Sequence, residues 1–479
     1  MAKKTVLAVD LGAESGRVIA VAFNGRSLTQ KELHRFPNIA VTINGTLHWD
    51  FLRLWHDIQV GIEKGKALNP ASIGVDTWGV DFGLLDKQGN LIGNPVHYRD
   101  SRTDDMMARV LDSVSRAEIF AQTGIQFLAL NTLYQLMSLV ENNSPQLDIA
   151  DTLLFSPDLI NYWLTGQKVS ELSIASTSQM YDQLTNTWAT GLLDKLTIPH
   201  HILPEVVPSG THLGDYEGIP VIAPACHDTG SAVAAVPTTT ADFAYLSSGT
   251  WSLLGLELPQ PIISDAALSA NVTNEGGVYG TVRLLKNLMG MWLLQQSRAA
   301  WAAQHESFSY AELVEMAQKA QPFRSFINVN DPLFMKHGDM PKRIQSFCQH
   351  TRQPVPHSKG EIVRSILESL AMAYRETLAK ITAVSSHQVN VIHIVGGGCQ
   401  NKLLNQMTAN ATGVPVVTGP IEATVIGNAV VQLIALGEIA DINQARSIIA
   451  HMDELEQYEP QETAVWEEEY GRYQEIIHR

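Results

Sequence analysis

The chain has 479 residues, 45% of them apolar, which is enough to bury the cores of two domains. Its formal charge of −16 and its lack of a dense Lys/Arg tract argue against nucleic acid or an anionic membrane as a partner. Three widely spaced cysteines argue against a disulfide framework and a zinc cluster. Asp10 interrupts the first apolar run and no uncharged stretch is long enough to cross a bilayer, so we expect a cytoplasmic protein.

The first segment, residues 6–21, predicts a β-hairpin because two apolar, β-branched runs flank a turn rich in small residues. Such a turn leaves backbone N–H groups accessible to an anion, and Asp10 at the end of the first strand could hold a metal beside it. The combination suits a nucleotide triphosphate with magnesium. Residues 243–256 repeat the order of strand, small polar turn and strand, which indicates internal symmetry. We therefore predict two similar halves.

The order of elements after the first hairpin indicates a mixed α/β domain. Residues 31–41 predict a third strand, Asp50 caps a helix with apolar residues at helical spacing, and residues 71–76 predict a short buried strand. This order is that of a ribonuclease-H-like unit, although the pattern alone also fits other mixed α/β arrangements. Further helical segments are predicted near residues 106–123, 132–142 and 153–165.

A tryptophan, a glycine and a carboxylate follow the strand that ends at Asp76. Ligands bind at the carboxyl ends of strands in open α/β sheets, and Gly79 would let a substrate lie against the backbone. The alternative, in which Trp78 is a core residue and Asp81 opens a turn, fits the sequence equally well.

Residues 219–235 predict a strand, a small-residue loop and an Ala-rich helix with Asp228 at its N-cap. Capping is the ordinary role of such an aspartate. A helix N-terminus would also keep Asp228 ionised, as a proton acceptor must be, and the segment lies just before the second hairpin. Asp228 is therefore a candidate general base. We place the boundary between the halves at residue 240.

The turn of the second hairpin, residues 247–250, offers hydroxyl and amide donors to a phosphate, although an ordinary hairpin turn is an equal alternative. Residues 285–295 predict a helix that begins at Asn287 and carries Gln295 two turns along. These two features mark the start of the second half.

Residues 390–401 predict a strand, a glycine loop and a helix start, a device that lets a flat or anionic ligand contact backbone. They match neither GxGxxG nor a Walker A loop, and a structural turn capped by Asn401 is the alternative. Ala423 and Gly427 lie four apart on a predicted helix, which permits another helix to approach closely.

Six motifs resemble those of the FGGY carbohydrate kinases, a family of the superfamily of sugar kinases, Hsp70 and actin, and together they span essentially the whole chain. They are residues 9–18, 76–82, 98–102, 227–229, 245–252 and 394–401. The resemblance implies an α/β fold of two ribonuclease-H-like domains that face an ATP cleft. It makes residues 1–240 the N-terminal, sugar-binding domain with the catalytic base, and residues 241–479 the C-terminal, nucleotide-binding domain.

The same resemblance implies a role for individual residues. Asp228 would be the general base for the sugar hydroxyl that attacks the γ-phosphorus of ATP, and Asp10 would hold Mg²⁺. The residues implied in ATP binding are Ala13, Glu14, Ser15, Gly16, Arg17, Thr250, Gln295 and Gly397. The residues implied in sugar binding are Gly79, His227, Asp228, Thr229 and Asn287. One departure is that Cys226 and Gly230 stand where the resemblance leads us to expect serine and alanine.

The resemblance favours L-rhamnulose as the sugar. L-Fuculose, L-ribulose and D-xylulose stay open, because kinases of these ketoses share the architecture and a sequence does not determine the shape of the pocket. A different class, an actin-like or Hsp70-like nucleotide switch, would require a partner-binding extension that the sequence does not show. Monomer and homodimer both stay open.

Overall fold

The computed structural model describes residues 3–452 and 455–478. Its contacts divide the chain into two compact units. The first unit contains the described residues up to 239, with residues 257–285 and 422–452, and the second contains residues 240–256, 286–421 and those from 455 onward. The first division lies between residues 239 and 240, and residues 257–285 and 422–452 return to the first unit. None of the described helices is long and apolar enough to span a bilayer.

The strands are numbered in chain order. Up to residue 222 they are β1 Lys4–Leu11, β2 Ser15–Phe23, β3 Leu28–Pro37, β4 Ala40–Ile43, β5 Thr46–Trp49, β6 Ile73–Thr77, β7 Phe82–Leu85, β8 Thr152–Phe155, β9 Val169–Glu171, β10 Tyr181–Asp182, β11 Thr187–Trp188, β12 Glu205–Val207, β13 His212–Tyr216 and β14 Ile219–Ile222. The later strands are β15 Phe243–Ser248, β16 Trp251–Leu258, β17 Thr273–Gly276, β18 Val282–Met289, β19 Val391–Val395, β20 Val416–Thr418 and β21 Glu456–Tyr458.

The helices are numbered in the same way. Up to residue 234 they are α1 Phe51–Lys66, α2 Met106–Ser113, α3 Arg116–Thr123, α4 Thr132–Glu141, α5 Pro145–Ile149, α6 Ser156–Thr165, α7 Leu172–Ala175, α8 Thr190–Lys195 and α9 Asp228–Ala234. The later helices are α10 Asp265–Ala270, α11 Trp292–Ala302, α12 Tyr310–Lys319, α13 Met340–His350, α14 Lys359–Ser385, α15 Lys402–Thr412, α16 Ala423–Ala435, α17 Ile442–Ile449 and α18 Thr463–Ile477.

The main sheet of the first unit has the strand order β13–β14–β6–β1–β2–β3. β1, β2 and β3 pair antiparallel, and β6 and β14 extend the sheet in parallel. Since α1 and α16 both pack against β1, the apolar residues of β1 and most of those of β2 are buried. The carboxyl ends of β1 and β6 meet at one edge, where Asp10 lies beside Asp76 in the register.

The sheet of the second unit contains the order β18–β16–β15–β19–β20–β21. β15 and β16 form the predicted antiparallel hairpin, and β19 and β20 extend the sheet in parallel. An antiparallel strand lies at the far edge of each sheet, β13 in the first and β21 in the second. The strand order of one sheet thus repeats in the other, which confirms the predicted internal symmetry.

Local sequence signals predicted some elements correctly and others wrongly. Asp50 caps α1, as expected, and its Oδ1 accepts a hydrogen bond from the Arg53 backbone N–H at 3.3 Å. The predicted helix start at Asn287 is wrong, because Asn287 lies on β18 and the helix α11 begins at Trp292. The cause is tertiary: β18 pairs antiparallel with β17, and sheet pairing outweighs the helical spacing of its apolar residues.

Helices α9 and α16 pack closely within the first unit, as the spacing of Ala423 and Gly427 predicted. A Cβ atom on Gly427 would lie 1.7 Å from the backbone oxygen of Ser231. No side-chain rotation relieves such an overlap, since both atoms belong to the backbone framework. The contact therefore depends on a glycine at residue 427.

We expect Gly427→Ala to lower the free energy of unfolding by about 2 kcal/mol or more, because α9 and α16 must separate to admit the methyl group. Gly191→Ala is the matched control, since Gly191 lies in helix α8 and no atom lies within 4 Å of its added Cβ. Chemical denaturation of both variants measures the difference. Equal stability of the two variants would contradict this account of the helix contact.

Candidate active site

The turn between β1 and β2 is fixed by Asn38. Its backbone N–H donates to Glu14 O and its Nδ2 donates to Gly12 O, both at 3.0 Å. Gly16 lies at the start of β2, where an added Cβ would lie 2.3 Å from the ring of Phe36. The structure thus gives Gly16 a packing reason for being a glycine, in addition to the predicted phosphate role.

Arg17 joins two carboxylates at the end of this hairpin. Its Nε and Nη2 donate to Asp10 Oδ2 at 2.8 and 2.7 Å, and its Nη1 lies 2.5 Å from Glu422 Oε2. The guanidinium offsets the charge of Asp10, whose side chain is 6% exposed. Asp10 Oδ1 accepts no hydrogen bond from the residues that the structure describes, so this oxygen is available to a further ligand.

Asp76 was not assigned a role from the sequence, yet it lies beside Asp10. Its Oδ2 accepts a hydrogen bond from Asn428 Nδ2 at 2.5 Å, and Gln432 Nε2 donates to Asn428 Oδ1 at 2.6 Å. Its Oδ1 is buried and has no hydrogen-bond partner within the described ranges. Burial, with Asp10 close by, raises the pKa of Asp76 well above its ordinary value.

The chain around residues 226–228 lies next to the end of β6. Thr77 pairs with His227 in a parallel bridge, and the Thr77 N–H donates to Cys226 O at 2.9 Å. The His227 carbonyl accepts the first helical hydrogen bond, from the Ser231 N–H at 3.1 Å. His227 is therefore the N-cap residue, and the prediction of Asp228 at the N-cap is wrong by one position: Asp228 is the first residue of α9.

The two carboxylate oxygens of Asp228 have different surroundings. Oδ1 accepts from the Thr229 N–H at 2.6 Å and Thr229 Oγ1 at 3.3 Å, and it lies 3.4 Å from His227 Nε2. Oδ2 accepts no hydrogen bond from any described residue, and the side chain is 30% exposed. One oxygen thus orients the carboxylate, and the other is available to accept a proton.

Burial raises the pKa of Asp228 above its ordinary value, while His227 opposes that shift and Asp10 adds to it. The sequence interpretation considered only the helix N-terminus, which lowers the pKa of a carboxylate. The burial that outweighs it depends on the fold and could not be read from the local sequence.

Gly79 lies beside His227, as the two predicted sugar-binding residues should. A Cβ on Gly79 would lie 3.3 Å from His227 Nε2 and 3.4 Å from Thr177 Oγ1. The next residue, Val80, has a φ of +68°, a conformation that β-branched residues rarely adopt. The Thr177 hydroxyl accepts from the Val80 N–H at 3.2 Å, and Thr132 Oγ1 donates to Val80 O at 2.7 Å. The first unit therefore brings Gly79, His227, Asp228 and Thr229 together.

Asp81 has a structural role. It is fully buried, and its carboxylate accepts from Trp49 Nε1 at 2.5 Å, Trp78 Nε1 at 3.0 Å and Gln135 Nε2 at 3.0 Å. Of the two interpretations of this segment, the structure favours the core one for Trp78. The carboxylate of Asp81 therefore joins these three side chains by hydrogen bonds, close in sequence to Gly79.

Thr250 and Gln295 meet in the second unit. Gln295 Nε2 donates to Thr250 Oγ1 at 3.4 Å, and the N–H groups of Gly290 and Trp292 each donate to Thr250 O at 3.2 Å. Gln295 lies in the first turn of α11, not two turns along as predicted. Its Oε1 is buried without a hydrogen-bond partner in the described chain, so this oxygen can accept a hydrogen bond from a ligand.

The glycine loop after β19 packs against the second hairpin. Gly396 has a φ of +85°, and a Cβ on Gly398 would overlap Ser248 Oγ. Gly397, between them, is exposed and faces open space, so a ligand can approach its backbone. Asn401 caps the following helix, with its Oδ1 accepting from the Leu404 N–H at 3.1 Å. The structure confirms that Asn401 caps the helix, and the ligand-binding role of Gly397 stays a prediction.

The remaining residues predicted to bind ligands lie in the first hairpin and on β18. Ala13, Glu14 and Ser15 lie in the first hairpin turn or at its exit, with Glu14 exposed. Asn287 lies on β18 and is partly exposed. Across the described ranges, no three His, Cys, Asp or Glu side chains form a metal-ligand set on their own.

The chain matches family models along most of its length. The N-terminal domain of the FGGY family of carbohydrate kinases matches residues 5–223, and the C-terminal domain matches residues 244–436. Similar sequences include the rhamnulokinase of Bacteroides thetaiotaomicron, 43% identical over 99% of this chain and 100% of that protein. The rhamnulokinase of Pectobacterium atrosepticum is 42% identical, over 99% and 97% of the two chains. That of Yersinia pestis is 41% identical, over 98% of each.

Solved structures share the fold at lower identity. The xylulose kinase of Lactobacillus acidophilus has a TM-score of 0.81 and 18% identity, over 99% of this chain and 97% of that one. The Plasmodium falciparum glycerol kinase with ADP has a TM-score of 0.78 and 16% identity, over 98% of each chain. The predicted two-domain sugar kinase fold is confirmed by these matches.

The burial of Asp81 predicts a pH-dependent stability. Burial raises the pKa of its carboxyl to about 6, so the folded state favours the protonated form. The contribution of Asp81 to stability is present below its unfolded pKa of about 3.9 and is lost as the pH rises through about 6. Asp81→Asn removes this titration. The free energy of unfolding of the variant, relative to the wild type, should therefore rise by roughly 3 kcal/mol between about pH 4 and about pH 8.

Denaturation of both proteins across this pH range measures the difference, in which the titrations of all other groups cancel. Asp86→Asn is the control: Asp86 lies in an exposed turn, and hydrogen bonds from Asn90 lower its pKa. That variant should gain no relative stability as the pH rises. A flat difference for Asp81→Asn would contradict the burial argument.

Proposed function

The chain belongs to the FGGY family of carbohydrate kinases, and we propose that it phosphorylates L-rhamnulose to L-rhamnulose 1-phosphate with ATP, in L-rhamnose catabolism. The observation that carries the sugar assignment is the similarity to rhamnulokinases at 41–43% identity over nearly the whole chain. The site in the first unit supports the proposed phosphoryl transfer, because it holds an oriented carboxylate beside a glycine that leaves room for a substrate. We also propose a cytoplasmic location, which the three buried cysteines support, since no disulfide joins them.

We propose that Asp228 is the general base. Its Oδ1 is held by Thr229, so Oδ2 is the oxygen that takes the proton of the sugar hydroxyl as the hydroxyl oxygen attacks the γ-phosphorus of ATP. The bond between the γ-phosphorus and the oxygen that bridges it to the β-phosphate breaks as the new P–O bond forms, and ADP leaves. A raised pKa strengthens Asp228 as a base while it is ionised.

We propose that Gly79, His227 and Thr229 bind the sugar in the first unit. Asn287, which belongs to the second unit, stays a predicted sugar-binding residue. Gly79 leaves open the space next to His227 Nε2, which a side chain would occupy. His227 and Thr229 flank the base, so hydrogen bonds from them to a sugar would also place its hydroxyl at Asp228. These contacts are the basis on which the chain would distinguish one ketose from another.

Each unit by itself carries residues that we propose to contact the nucleotide. In the first unit they are the hairpin residues Ala13, Glu14, Ser15, Gly16 and Arg17. In the second unit they are Thr250, Gln295 and Gly397, of which Gln295 supplies an unsatisfied amide oxygen and Gly397 an accessible backbone. We propose residues 1–240 as the sugar-binding domain and residues 241–479 as the nucleotide-binding domain, although residues 257–285 and 422–452 pack within the first unit.

The residues near Asp10 fit a divalent cation. Asp10 Oδ1 and the buried, unsatisfied Asp76 Oδ1 are carboxylate oxygens, the ligand type that Mg²⁺ prefers. Mg²⁺ in kinases takes one or two carboxylates and completes its shell with phosphates and water, which agrees with the lack of a three-residue ligand set among the described residues. Asp10 would hold the ion, which when bound would neutralise charge on the phosphates.

We expect Mg-ATP with L-rhamnulose to give a higher kcat/KM than L-fuculose, L-ribulose, D-xylulose or glycerol in a coupled assay of ADP release. Asp228→Asn should lower kcat by about 10²- to 10⁴-fold and leave ATP binding near normal, because the base is lost and the fold is kept. Near-wild-type turnover in this variant would mean that Asp228 is only the first residue of a helix.

The same assay separates the alternatives. If another ketose has the highest kcat/KM, the kinase assignment stands and the sugar assignment is wrong. If no sugar raises ADP release above the rate with ATP alone, the nucleotide-switch interpretation replaces the kinase one.

Asp10→Asn tests the proposed metal site. Loss of one carboxylate charge should shift the Mg²⁺ concentration for half-maximal activity upward by about tenfold or more, because the variant binds the ion less tightly. A titration of activity with Mg²⁺ at saturating ATP and sugar measures it. Asp86→Asn, in an exposed turn, is the control and should leave the titration unchanged. An unchanged titration for Asp10→Asn would contradict the role of Asp10.

A further inference from the structure

A buried ion pair lies directly behind His227. Glu275 on β17 and Arg283 on β18 are register partners of one antiparallel ladder, and they are 3% and 0% exposed. Glu275 Oε2 lies 3.4 Å from Arg283 Nη2. Both groups reach the same nitrogen of His227: Nδ1 lies 3.3 Å from Glu275 Oε2 and 3.3 Å from Arg283 Nη2. None of the sequence motifs includes this pair.

The chemistry of a guanidinium limits what the His227 ring can be. Arg283 has only donors and stays protonated, and its Nε is fixed by a hydrogen bond to Gly276 O at 3.0 Å. Its Nη2 therefore forms a hydrogen bond to His227 Nδ1 only if Nδ1 carries no proton. Glu275 then serves as the counter-ion of Arg283.

Charged groups lie close to both nitrogens of the ring. Glu275 Oε2 lies 3.3 Å from Nδ1 and Asp228 Oδ1 lies 3.4 Å from Nε2, while the buried guanidinium of Arg283 lies 3.3 Å from Nδ1. Asp10 and Asp76 are further carboxylates that face Asp228. A hydrogen bond from Arg283 to Nδ1 uses the lone pair of that nitrogen, and the single proton of the ring is then on Nε2.

We propose that Arg283 is a positioning residue that fixes His227 as the neutral Nε2–H tautomer, with Glu275 holding the guanidinium in place. Nε2 lies 3.4 Å from Asp228 Oδ1 and next to the space left by Gly79. The Nε2–H group thus donates toward the anchored oxygen of Asp228 or toward a sugar oxygen, and it leaves Asp228 Oδ2 for the proton in transfer. The catalytic consequence rests on the proposed function, whereas the tautomer does not.

The direct test is the ring ¹⁵N signal of His227. In full-length protein with ¹⁵N-labelled histidine, long-range ¹H–¹⁵N spectra at neutral pH distinguish the Nε2–H, Nδ1–H and doubly protonated rings, and His227→Gln identifies the signal. We expect a bare Nδ1 and a protonated Nε2 without any substrate. A protonated Nδ1, alone or with a protonated Nε2, would overturn the proposal, whatever the enzyme phosphorylates.

Variants then connect the tautomer to turnover. Arg283→Met should change the His227 signal and lower kcat about 10- to 100-fold, with the KM for ATP unchanged, and Arg283→Lys should restore part of kcat because it keeps a charged donor. Arg364→Met is the matched control: Arg364 is another largely buried arginine, and it pairs with Glu368 at 2.7 Å on helix α14. It should leave the His227 signal and kcat unchanged.

The outcomes separate the two hypotheses. The expected tautomer in a protein that phosphorylates no sugar would overturn the proposed function and leave the assignment of the proton in place. An active kinase whose His227 signal is the same in Arg283→Met as in the wild type would overturn the positioning role. If Arg283→Met does not fold, Glu275→Gln supplies the second variant, in which the guanidinium loses its counter-ion and the His227 signal should also shift.

Discussion

Negative charge held inside the protein at the carboxyl ends of strands is the constraint on which the first unit depends. Asp10 and Asp76 are neighbours across β1 and β6. The Cys226 carbonyl accepts a hydrogen bond from the Thr77 N–H at the end of β6, and this contact brings Asp228 to the same edge of the sheet. Burial raises the pKa values of Asp76 and Asp228, and the nearby carboxylate of Asp10 adds to both shifts. Such a cluster costs stability unless cations or donors offset it. Arg17 offsets part of it and a metal ion would offset more.

The loop that carries His227 and Asp228 is itself held by a buried carboxylate. Glu171 Oε2 accepts from the Cys226 N–H at 3.0 Å and from Ser173 Oγ at 2.5 Å, and Ser173 Oγ in turn accepts from the His227 N–H at 3.0 Å. The backbone amides of Cys226 and His227, which precede Asp228, are therefore both held by hydrogen bonds to Glu171 and Ser173. A base that is to accept a proton in one direction needs such a rigid support, because small displacements of a reacting group lower the rate steeply.

How much of this could be predicted depends on the distance along the chain between interacting residues. The two hairpins, the cap at Asp50 and the close approach at Gly427 follow from signals a few residues long, and the structure confirms them. The helix expected at Asn287 is wrong because β17 and β16, the strands on either side of β18 in the sheet, are not part of the local pattern.

The supporting residues of the site come from still farther away. Asn428 bonds to Asp76 across 352 positions, and Arg283 reaches His227 across 56. A single sequence carries no local signal for such pairs, because any polar residue on a buried strand or helix could have served. The resemblance to a kinase family pointed to Asp228 as the proposed base and to the residues next to it. It could not locate the partners that set their protonation, since those are determined by packing.

The two carboxylate oxygens of Asp228 differ in their hydrogen bonds, and this difference depends on the residues described above. Thr229 donates twice to Oδ1, and His227 Nε2 lies 3.4 Å from the same oxygen. The two hydrogen bonds from Thr229 fix the plane of the carboxylate and leave Oδ2 without a donor among the described residues. The proton of an incoming hydroxyl then has one oxygen left to go to. Had His227 carried its proton on Nδ1, Nε2 would present a lone pair to that carboxylate, and the repulsion would turn Asp228 away from the position in which it can act.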